Sequence, residues 1–120
     1  MNKIDLKSEL SQINEHWSPK VVGELNGQEV KVVKFKGEFP WHHHENGDEM
    51  FMGLKGSFKL EFRERTVEIG EGEFIIVPMG VEHRPVAEEE VEVMLFEPAG
   101  TKNTGNIEDP GFTAPFDQIT

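Results

Sequence analysis

Short runs of alternating apolar and polar residues, separated by glycine, are the feature that most constrains how this chain can fold. The runs extend over residues 20–98, and Gly56, Gly70, Gly72 and Gly80 fall between them or at their ends. Alternation of this kind places every second side chain on the same face of a β-strand. About eight such strands at short, regular spacing predict a β-sandwich or barrel. We therefore expect an all-β fold whose core barrel spans about residues 20–98.

The two ends of the chain depart from this pattern. Apolar residues recur at helical spacing within residues 4–13, so we predict a short N-terminal helix opened by Asp5. Residues 99–120 form a polar tail rich in glycine, proline and asparagine. Its apolar side chains suit either an extended arm over the barrel or a partner subunit, or a loosely ordered terminus. These side chains are Ile107, Phe112, Phe116 and Ile119. No linker interrupts the chain, so residues 1–120 are treated as one domain.

Charge and cysteine content exclude several classes of function. The 120 residues carry a net charge of −11, which argues against binding to nucleic acid or to an anionic membrane surface. The absence of cysteine excludes disulfides, thiolate metal ligands and a cysteine nucleophile. The sequence also shows no targeting segment and no stretch of transmembrane length, so we expect a cytoplasmic protein.

Histidines and carboxylates are concentrated in the stretch FPWHHHENGDEMF at residues 39–51. Strand alternation would point His42 and His44 to one face and His43 to the other. A turn at Asn46 and the following glycine would bring Glu49 back toward the first two histidines. A solvated loop, a hydrogen-bonded cluster and half of a metal site all remain compatible with this stretch taken alone.

A second segment, GEFIIVPMGVEH, places a further histidine downstream of the first cluster, and both segments resemble the two sequence motifs of the cupin superfamily. The matching positions of the first motif are His42, His44, Glu49 and Gly56, and those of the second are Gly72, Pro78, Gly80 and His83. The resemblance covers Gly37 through Phe96 and implies a double-stranded β-helix, or jelly-roll, barrel. Two positions depart from the pattern. Four residues rather than five separate Gly37 from His42, and Ala87 stands where asparagine is frequent.

The resemblance implies that His42, His44, Glu49 and His83 bind one divalent transition-metal ion per chain. Three imidazoles and one carboxylate suit Mn, Fe, Co, Ni, Cu or Zn. Four protein ligands on a six-coordinate ion leave two open positions, whereas they would fill a tetrahedral zinc site, so Mn or Fe is favoured. Glu45 and Asp48 are alternative carboxylates, which we rank below Glu49 because their spacing does not match the motif.

The residues that contact a substrate are less well defined by the sequence. The large apolar candidates for a pocket wall are Trp41, Phe51, Met52, Met94 and Phe96. Arg63, Arg65 and Arg84 are candidates for binding an anionic substrate. Core packing is the alternative role of the apolar group, and a solvated surface charge is the alternative role of the arginines.

Resemblance to cupins implies a metal-dependent enzyme that acts on a small molecule by dioxygenase-, decarboxylase- or isomerase-like chemistry. No general acid or base is identifiable in the sequence. The alternative is a noncatalytic cupin that binds a metal or a small molecule, since a fold does not fix a function. The resemblance further implies a homodimer.

Overall fold

The computed structural model describes residues 1–114. Within this part of the chain there are one helix and seven strands. They are α1 (Leu6–Ser11), β1 (Lys20–Leu25), β2 (Gln28–Glu38), β3 (Glu49–Lys55), β4 (Phe58–Phe62), β5 (Thr66–Ile69), β6 (Phe74–Val77) and β7 (His83–Pro98). The predicted all-β fold with a short N-terminal helix is confirmed.

The strand count differs from the prediction of about eight because two predicted strands are one. Alternation alone predicts separate strands at residues 81–86 and 90–98, but His83–Pro98 form the single 16-residue strand β7. Its first residues pair with β4, with Phe62 opposite His83, and its last residues pair with β3, with Met50 opposite Phe96. The exposed glutamates between the two runs resemble a loop in sequence, but they lie where β7 passes from one group of strands to the other.

All strand pairs are antiparallel and build a two-layered barrel around β7. The hydrogen-bonded order is β1-β2-β7-β3-β6, while β4 pairs with β7 and β5. Strands β2 and β7 share the longest pairing, from Gln28 opposite Pro98 to Glu38 opposite Val86. This connectivity closes a barrel and places the start of β7 next to the histidine-rich segment.

The barrel interior is filled by side chains at alternate positions of the strands. Val33 lies opposite Val93 and Phe51 lies opposite Leu95, and all four side chains are buried. The remaining members of this core include Phe35, Phe39, Phe58, Leu60, Ile69, Val77, Ala87 and Val91. Burying each large apolar side chain stabilises the fold by about 1.5–3 kcal/mol relative to leaving it in water. The interior is therefore a packed core rather than an open channel.

Helix α1 packs on the outside of the barrel. The Asp5 side chain caps the helix by accepting a hydrogen bond of 3.2 Å from the Ser8 amide, as predicted from the sequence. Six residues are too few for a helix that is stable alone, so α1 depends on packing of Leu10 and Ile13 against Val32 of β2. No helical segment within residues 1–114 has the length and apolar character that a membrane crossing requires.

The described part of the C-terminal tail packs on its own chain. The ring of Phe112 lies 5.3 Å from the ring of Phe39 and 6.3 Å from that of Trp17, measured between centroids. Ile107 is partly buried, whereas Phe116 and Ile119 lie outside the described residues. Of the two alternatives for the tail, the packed arm therefore applies up to Phe112.

Candidate metal centre

The three-histidine run is held against the start of β7 by backbone hydrogen bonds. The His42 amide donates to the His83 carbonyl at 3.0 Å, and the His83 amide donates to the His42 carbonyl at 2.9 Å. Strand alternation then directs His42 and His44 into the barrel, where both are buried. The middle histidine, His43, faces outward and lies 3.0 Å from the exposed carboxylate of Glu45. The predicted division of the three histidines between two faces is observed.

Glu49 reaches the same interior as the first residue of β3. The turn before it ends at Asp48, whose side chain faces out and accepts a hydrogen bond of 2.9 Å from the Met79 amide. The side chain of Glu45 is 79% exposed to solvent. Of the three candidate carboxylates, only Glu49 lies with the histidines.

The four predicted residues converge on one point. One ligand atom from each of His42, His44, Glu49 and His83 lies within 4.8 Å of the other three. The Glu49 Oε1 atom is 3.1 Å from His44 Nε2 and 3.4 Å from His83 Nε2. All four residues are at most 5% exposed. This arrangement is a compact, buried group of three nitrogens and one carboxylate.

Hydrogen bonds to backbone carbonyls fix the tautomer of two of these histidines. His42 Nδ1 lies 2.9 Å from the Pro40 carbonyl oxygen, and His83 Nδ1 lies 2.8 Å from that of Val81. Because a carbonyl oxygen only accepts, each Nδ1 carries the hydrogen and each Nε2 presents a lone pair to the site. A hydrogen bond from the non-ligating nitrogen is the usual support for a metal-binding histidine.

The protonation states suit metal binding. Burial, and then the neighbouring His83, lower the pKa of His42 from its ordinary value of 6.5 to about 3, so this imidazole is neutral near pH 7. Burial alone would raise the pKa of Glu49, but contacts with His44 and His83 hold that pKa well below its ordinary range. A neutral imidazole and an ionised carboxylate are the forms that bind a metal.

Three atoms at the centre of the group have no hydrogen-bond partner. Among the described residues, His44 Nε2, His83 Nε2 and Glu49 Oε1 are all buried and unsatisfied. Buried polar atoms without partners are rare because each costs free energy to desolvate. A cation between these atoms would satisfy all of them, so the residues present fit a metal ion. A self-contained hydrogen-bonded cluster would leave fewer atoms unpaired.

Comparison with known proteins supplies the family. The chain matches the cupin domain family over residues 29–97, which is more than half of its length. This chain belongs to the cupin family. A cupin-2 domain protein of Shewanella frigidimarina is 41% identical, with a TM-score of 0.77 over 79% of this chain and 93% of its own. Protein NMB1881 of Neisseria meningitidis is 32% identical, with a TM-score of 0.75 over 81% of this chain and 99% of its own.

One curated protein is also similar to this chain in sequence. The Bacillus subtilis protein YdbB, described as uncharacterized, is 29% identical over 84 residues, or 69% of this chain and 72% of its own. The similarity to small bacterial cupins thus confirms the family that the two sequence motifs indicated.

The structure explains how this cupin tolerates one departure from the motifs. Ala87 is 2% exposed and packs in the apolar core next to Val91, so an alanine suits the place where asparagine is frequent. The motif glycine Gly80 has a φ of +85°, a left-handed conformation that favours glycine. Its amide donates 2.8 Å to the His44 carbonyl, which ties the turn before β7 to the histidine segment.

A small cavity adjoins the candidate ligands. The centre of a water-sized sphere can occupy a volume of about 20 Å³ in this cavity. That volume is enough for about one water molecule. The walls are mainly apolar, with His42, Glu49 and Asn103 as polar members and Trp17, Val33, Phe35, Phe39, Phe51, Pro85 and Leu95 as the main apolar ones. Phe51 is thus the one predicted pocket residue that lines this cavity. Met52, Met94 and Phe96 lie on the opposite, outer face of their strands.

The remaining substrate-contact candidates lie outside the cavity. Arg63 packs over the ring of Trp41, with its Cζ 3.9 Å from the ring centroid, and pairs with Glu82. Arg84 pairs with the carboxylate of Glu61 at 2.8 Å. Arg65 lies over the ring of Phe62. None of these arginines lines the cavity beside the histidines.

The C-terminal tail is hydrogen-bonded directly to the histidine segment. The sequence did not indicate this contact. The His43 amide donates to Asn106 Oδ1 at 2.8 Å, and the Asn106 amide donates to the His43 carbonyl at 3.0 Å. A Cβ atom on Gly105 would lie 2.1 Å from the same carbonyl oxygen, so only glycine allows this approach. The tail therefore covers the backbone that carries His42 and His44.

Sequence reasoning also missed a buried ion pair behind the ligands. Glu97 of β7 is 1% exposed and Lys31 of β2 is 6% exposed, and their side chains pair at 2.8 Å. Burial and the adjacent Glu49 carboxylate raise the pKa of Glu97 well above its ordinary range. One sequence signal was available, because Glu97 continues the inward-facing register of Val93 and Leu95.

Proposed function

We propose that this cupin binds one divalent transition-metal ion per chain and uses it to transform a small molecule. His42 and His83 would bind through Nε2, together with His44 and a carboxylate oxygen of Glu49. The observation that carries this proposal is the group of buried, unsatisfied nitrogen and oxygen atoms that face one another. Such a donor set has one carboxylate and no thiolate, as is typical of first-row transition-metal sites.

The number of protein ligands favours Mn or Fe. Four ligands leave two positions open on a six-coordinate ion, whereas Zn in a tetrahedral site would have none. Zn, Ni, Co and Cu remain compatible with the same donor atoms. When bound, such an ion supplies Lewis-acid or redox chemistry, which includes dioxygenase-, decarboxylase- and isomerase-like reactions.

The surrounding residues support a catalytic role. The cavity beside His42 and Glu49 is lined mainly by apolar side chains, which would limit the hydration of a bound metal. Asn103 is a polar group on the same wall that would orient a ligand. Its side chain is held by the carbonyl oxygens of Trp17 and Phe112, which it contacts at 3.1 and 2.7 Å.

A noncatalytic binding function is the second candidate, and the small volume of the cavity favours it. Space for about one water accommodates dioxygen or a metal-bound solvent molecule but not a larger substrate. A larger substrate would require the tail or the aromatic wall to move. The two candidates therefore differ in whether an exogenous ligand can reach the bound metal.

Nitric oxide binding to the Fe²⁺-loaded protein separates these candidates. An open position on the metal should give the electron paramagnetic resonance signal of an iron nitrosyl complex. Retention of the metal without any nitrosyl signal would indicate a filled coordination shell and would favour the binding function. Absence of any bound metal in samples reconstituted separately with several of these ions would refute the proposed site itself.

We also propose that this cupin forms a homodimer in the cytoplasm. The outer face of β6, β3 and β7 presents a continuous apolar surface, formed by Phe74, Ile76, Met50, Met52, Met94 and Phe96. Phe74 is 59% exposed and Ile76 is 55% exposed. Contiguous apolar surface of this kind marks interaction sites, and a second copy of the chain presents a matching surface.

The net charge of −11 supports a small-molecule ligand rather than nucleic acid or membrane.

A further inference from the structure

A second carboxyl group lies directly behind the candidate ligand Glu49. Glu97 is almost fully buried on the inner face of β7. The pairing of Met50 with Phe96 sets it beside Glu49 on the neighbouring strand β3, and its Oε1 atom is buried without a hydrogen-bond partner. Glu97 is not among the residues whose ligand atoms converge within 4.8 Å, so it lies beside a ligand rather than at the metal position. Glu97 is therefore placed to act on Glu49 and not on the ion.

Lys31 fixes Glu97 from the other side. Its Nζ atom donates to Glu97 Oε2 at 2.8 Å and to the Thr101 carbonyl at 3.2 Å. The hydroxyl of Thr101 in turn accepts a hydrogen bond of 2.8 Å from Asn46 Nδ2. Asn46 lies in the turn between the two ligands His44 and Glu49. The chain of polar groups thus runs from Glu49 through Glu97 and Lys31 and returns to the loop that carries the ligands.

We propose that Glu97 is a positioning residue that fixes the orientation of the Glu49 carboxylate at the metal centre, with Lys31 holding Glu97 in place. This inference rests on the proposed metal site. Nearly all metal ligands need such outer partners, and loss of a partner costs about 10- to 100-fold in metal affinity. A hydrogen bond from the Glu97 carboxyl group to the far oxygen of Glu49 would leave Glu49 Oε1 directed at His44 and His83, the direction in which the ion would lie.

A role in stability alone does not account for this arrangement. A buried ion pair is often no more stabilising than well-packed apolar residues of the same volume. The neighbouring inward positions of β7 are occupied by Val93 and Leu95, which shows that this part of the barrel accepts apolar side chains. The buried Glu97–Lys31 pair is therefore better explained by the position of Glu97 beside Glu49 than by core packing.

Three variants test the inference, with Co²⁺ as the probe. Glu97→Gln keeps an N–H donor toward Glu49 and an acceptor for Lys31, whereas Glu97→Leu keeps only the volume. Lys31→Met leaves Glu97 in place without its anchor. Co²⁺ affinity is measured by competition with a chelator, and the visible absorption of bound Co²⁺ reports its coordination. Circular dichroism shows whether each variant is folded.

We expect Glu97→Leu to lose about 10- to 100-fold in Co²⁺ affinity and to change the visible spectrum. Glu97→Gln should bind and absorb like the wild type, and Lys31→Met should show a smaller loss. If Glu97→Leu does not fold, the test rests on Lys31→Met. A Lys31→Met variant with the Co²⁺ affinity and visible spectrum of the wild type would then overturn the inference. Equal binding by a folded Glu97→Leu, or an equal loss in Glu97→Gln, would also overturn it. Failure of the wild type to bind Co²⁺ would instead refute the proposed metal site.

Discussion

At the scale of single residues, three of the four candidate ligands have polar neighbours on the side away from the site. Backbone carbonyls fix His42 and His83, and the buried carboxyl group of Glu97 lies beside Glu49. Side chains restrained in this way lose little conformational entropy when they bind a ligand. The ligand side chains are therefore preorganised before a metal binds. This arrangement costs free energy, because it leaves buried polar atoms without hydrogen-bond partners.

Burial of His42 in its neutral form should make the folding stability of the metal-free protein depend on pH. The pKa of His42 is lowered from 6.5 to about 3 in the folded state, so below pH 6.5 the unfolded chain binds a proton at this residue that the folded protein does not. Folding stability should therefore decrease as the pH falls, by about 2 kcal/mol between pH 6.5 and pH 5 from this residue. Urea unfolding at a series of pH values in the presence of a chelator measures the change.

The matched control is His42→Gln, which keeps a buried polar side chain but does not titrate in this range. Its stability should vary less between pH 6.5 and pH 5 than that of the wild type. Identical pH profiles for the two proteins would show that His42 is not buried in a neutral form.

The ligand set followed from the sequence because its spacing is fixed by strand geometry and by two motifs. His42 and His44 share a face by alternation, and Glu49 and His83 stand at motif positions. Glu97 and Lys31 could not be assigned in the same way. Each is one charged residue among many in the chain, and their proximity depends on the register of β2 against β7.

At the scale of elements, the long strand β7 and the C-terminal tail determine how the site is enclosed. The strands themselves could be predicted from alternation and glycine, but the continuity of β7 could not, since Glu88 to Glu90 interrupt its apolar pattern. The tail was ambiguous because its few apolar residues have no periodicity. Its attachment depends on Gly105 and Asn106, whose hydrogen bonds to the His43 backbone leave no pattern in the sequence.

Substitution of Gly105 should release the tail from the histidine segment. Alanine at this position would place its Cβ 2.1 Å from the His43 carbonyl oxygen, at a φ of +58° that disfavours a side chain. We expect Gly105→Ala to lower the free energy of unfolding by about 1–3 kcal/mol and to increase cleavage of the tail by proteases. Thermal unfolding and limited proteolysis measure the two effects.

Gly111→Ala is the control within the same tail, because the nearest atom to its Cβ would be Asp109 Oδ1 at 3.5 Å, an ordinary contact. It should unfold and resist proteolysis as the wild type does. A Gly105→Ala variant with unchanged protease sensitivity would contradict the docking of the tail on the histidine segment.

At the scale of the whole molecule, the barrel interior is packed with buried side chains, whereas one outer face is apolar and exposed to solvent. The interior contains the candidate ligands and several buried aromatic side chains, whereas the outer face of β6, β3 and β7 leaves Phe74 and Ile76 more than half exposed. The sequence predicted the barrel but not which of its outer faces is apolar, because that depends on which strands are neighbours.

A charge placed on that outer face should weaken the proposed homodimer. Ile76→Lys would bury an unpaired charge at the interface, so we expect the dimer to dissociate at concentrations at which the wild type remains associated. Sedimentation over a range of concentrations measures the shift. Thr66→Glu changes an exposed residue of β5, away from this face, and should leave the association unchanged. A wild type that is monomeric at all concentrations would contradict the dimer.

We propose above that His42, His44, Glu49 and His83 form a metal site. Its most direct test is the metal content of untagged protein after reconstitution with Mn²⁺ or Fe²⁺, measured for the wild type, His83→Ala and His43→Ala. We expect about one ion per chain in the wild type and in His43→Ala, and almost none in His83→Ala. A wild type that retains no ion, or a His83→Ala variant that retains as much as the wild type, would contradict the account.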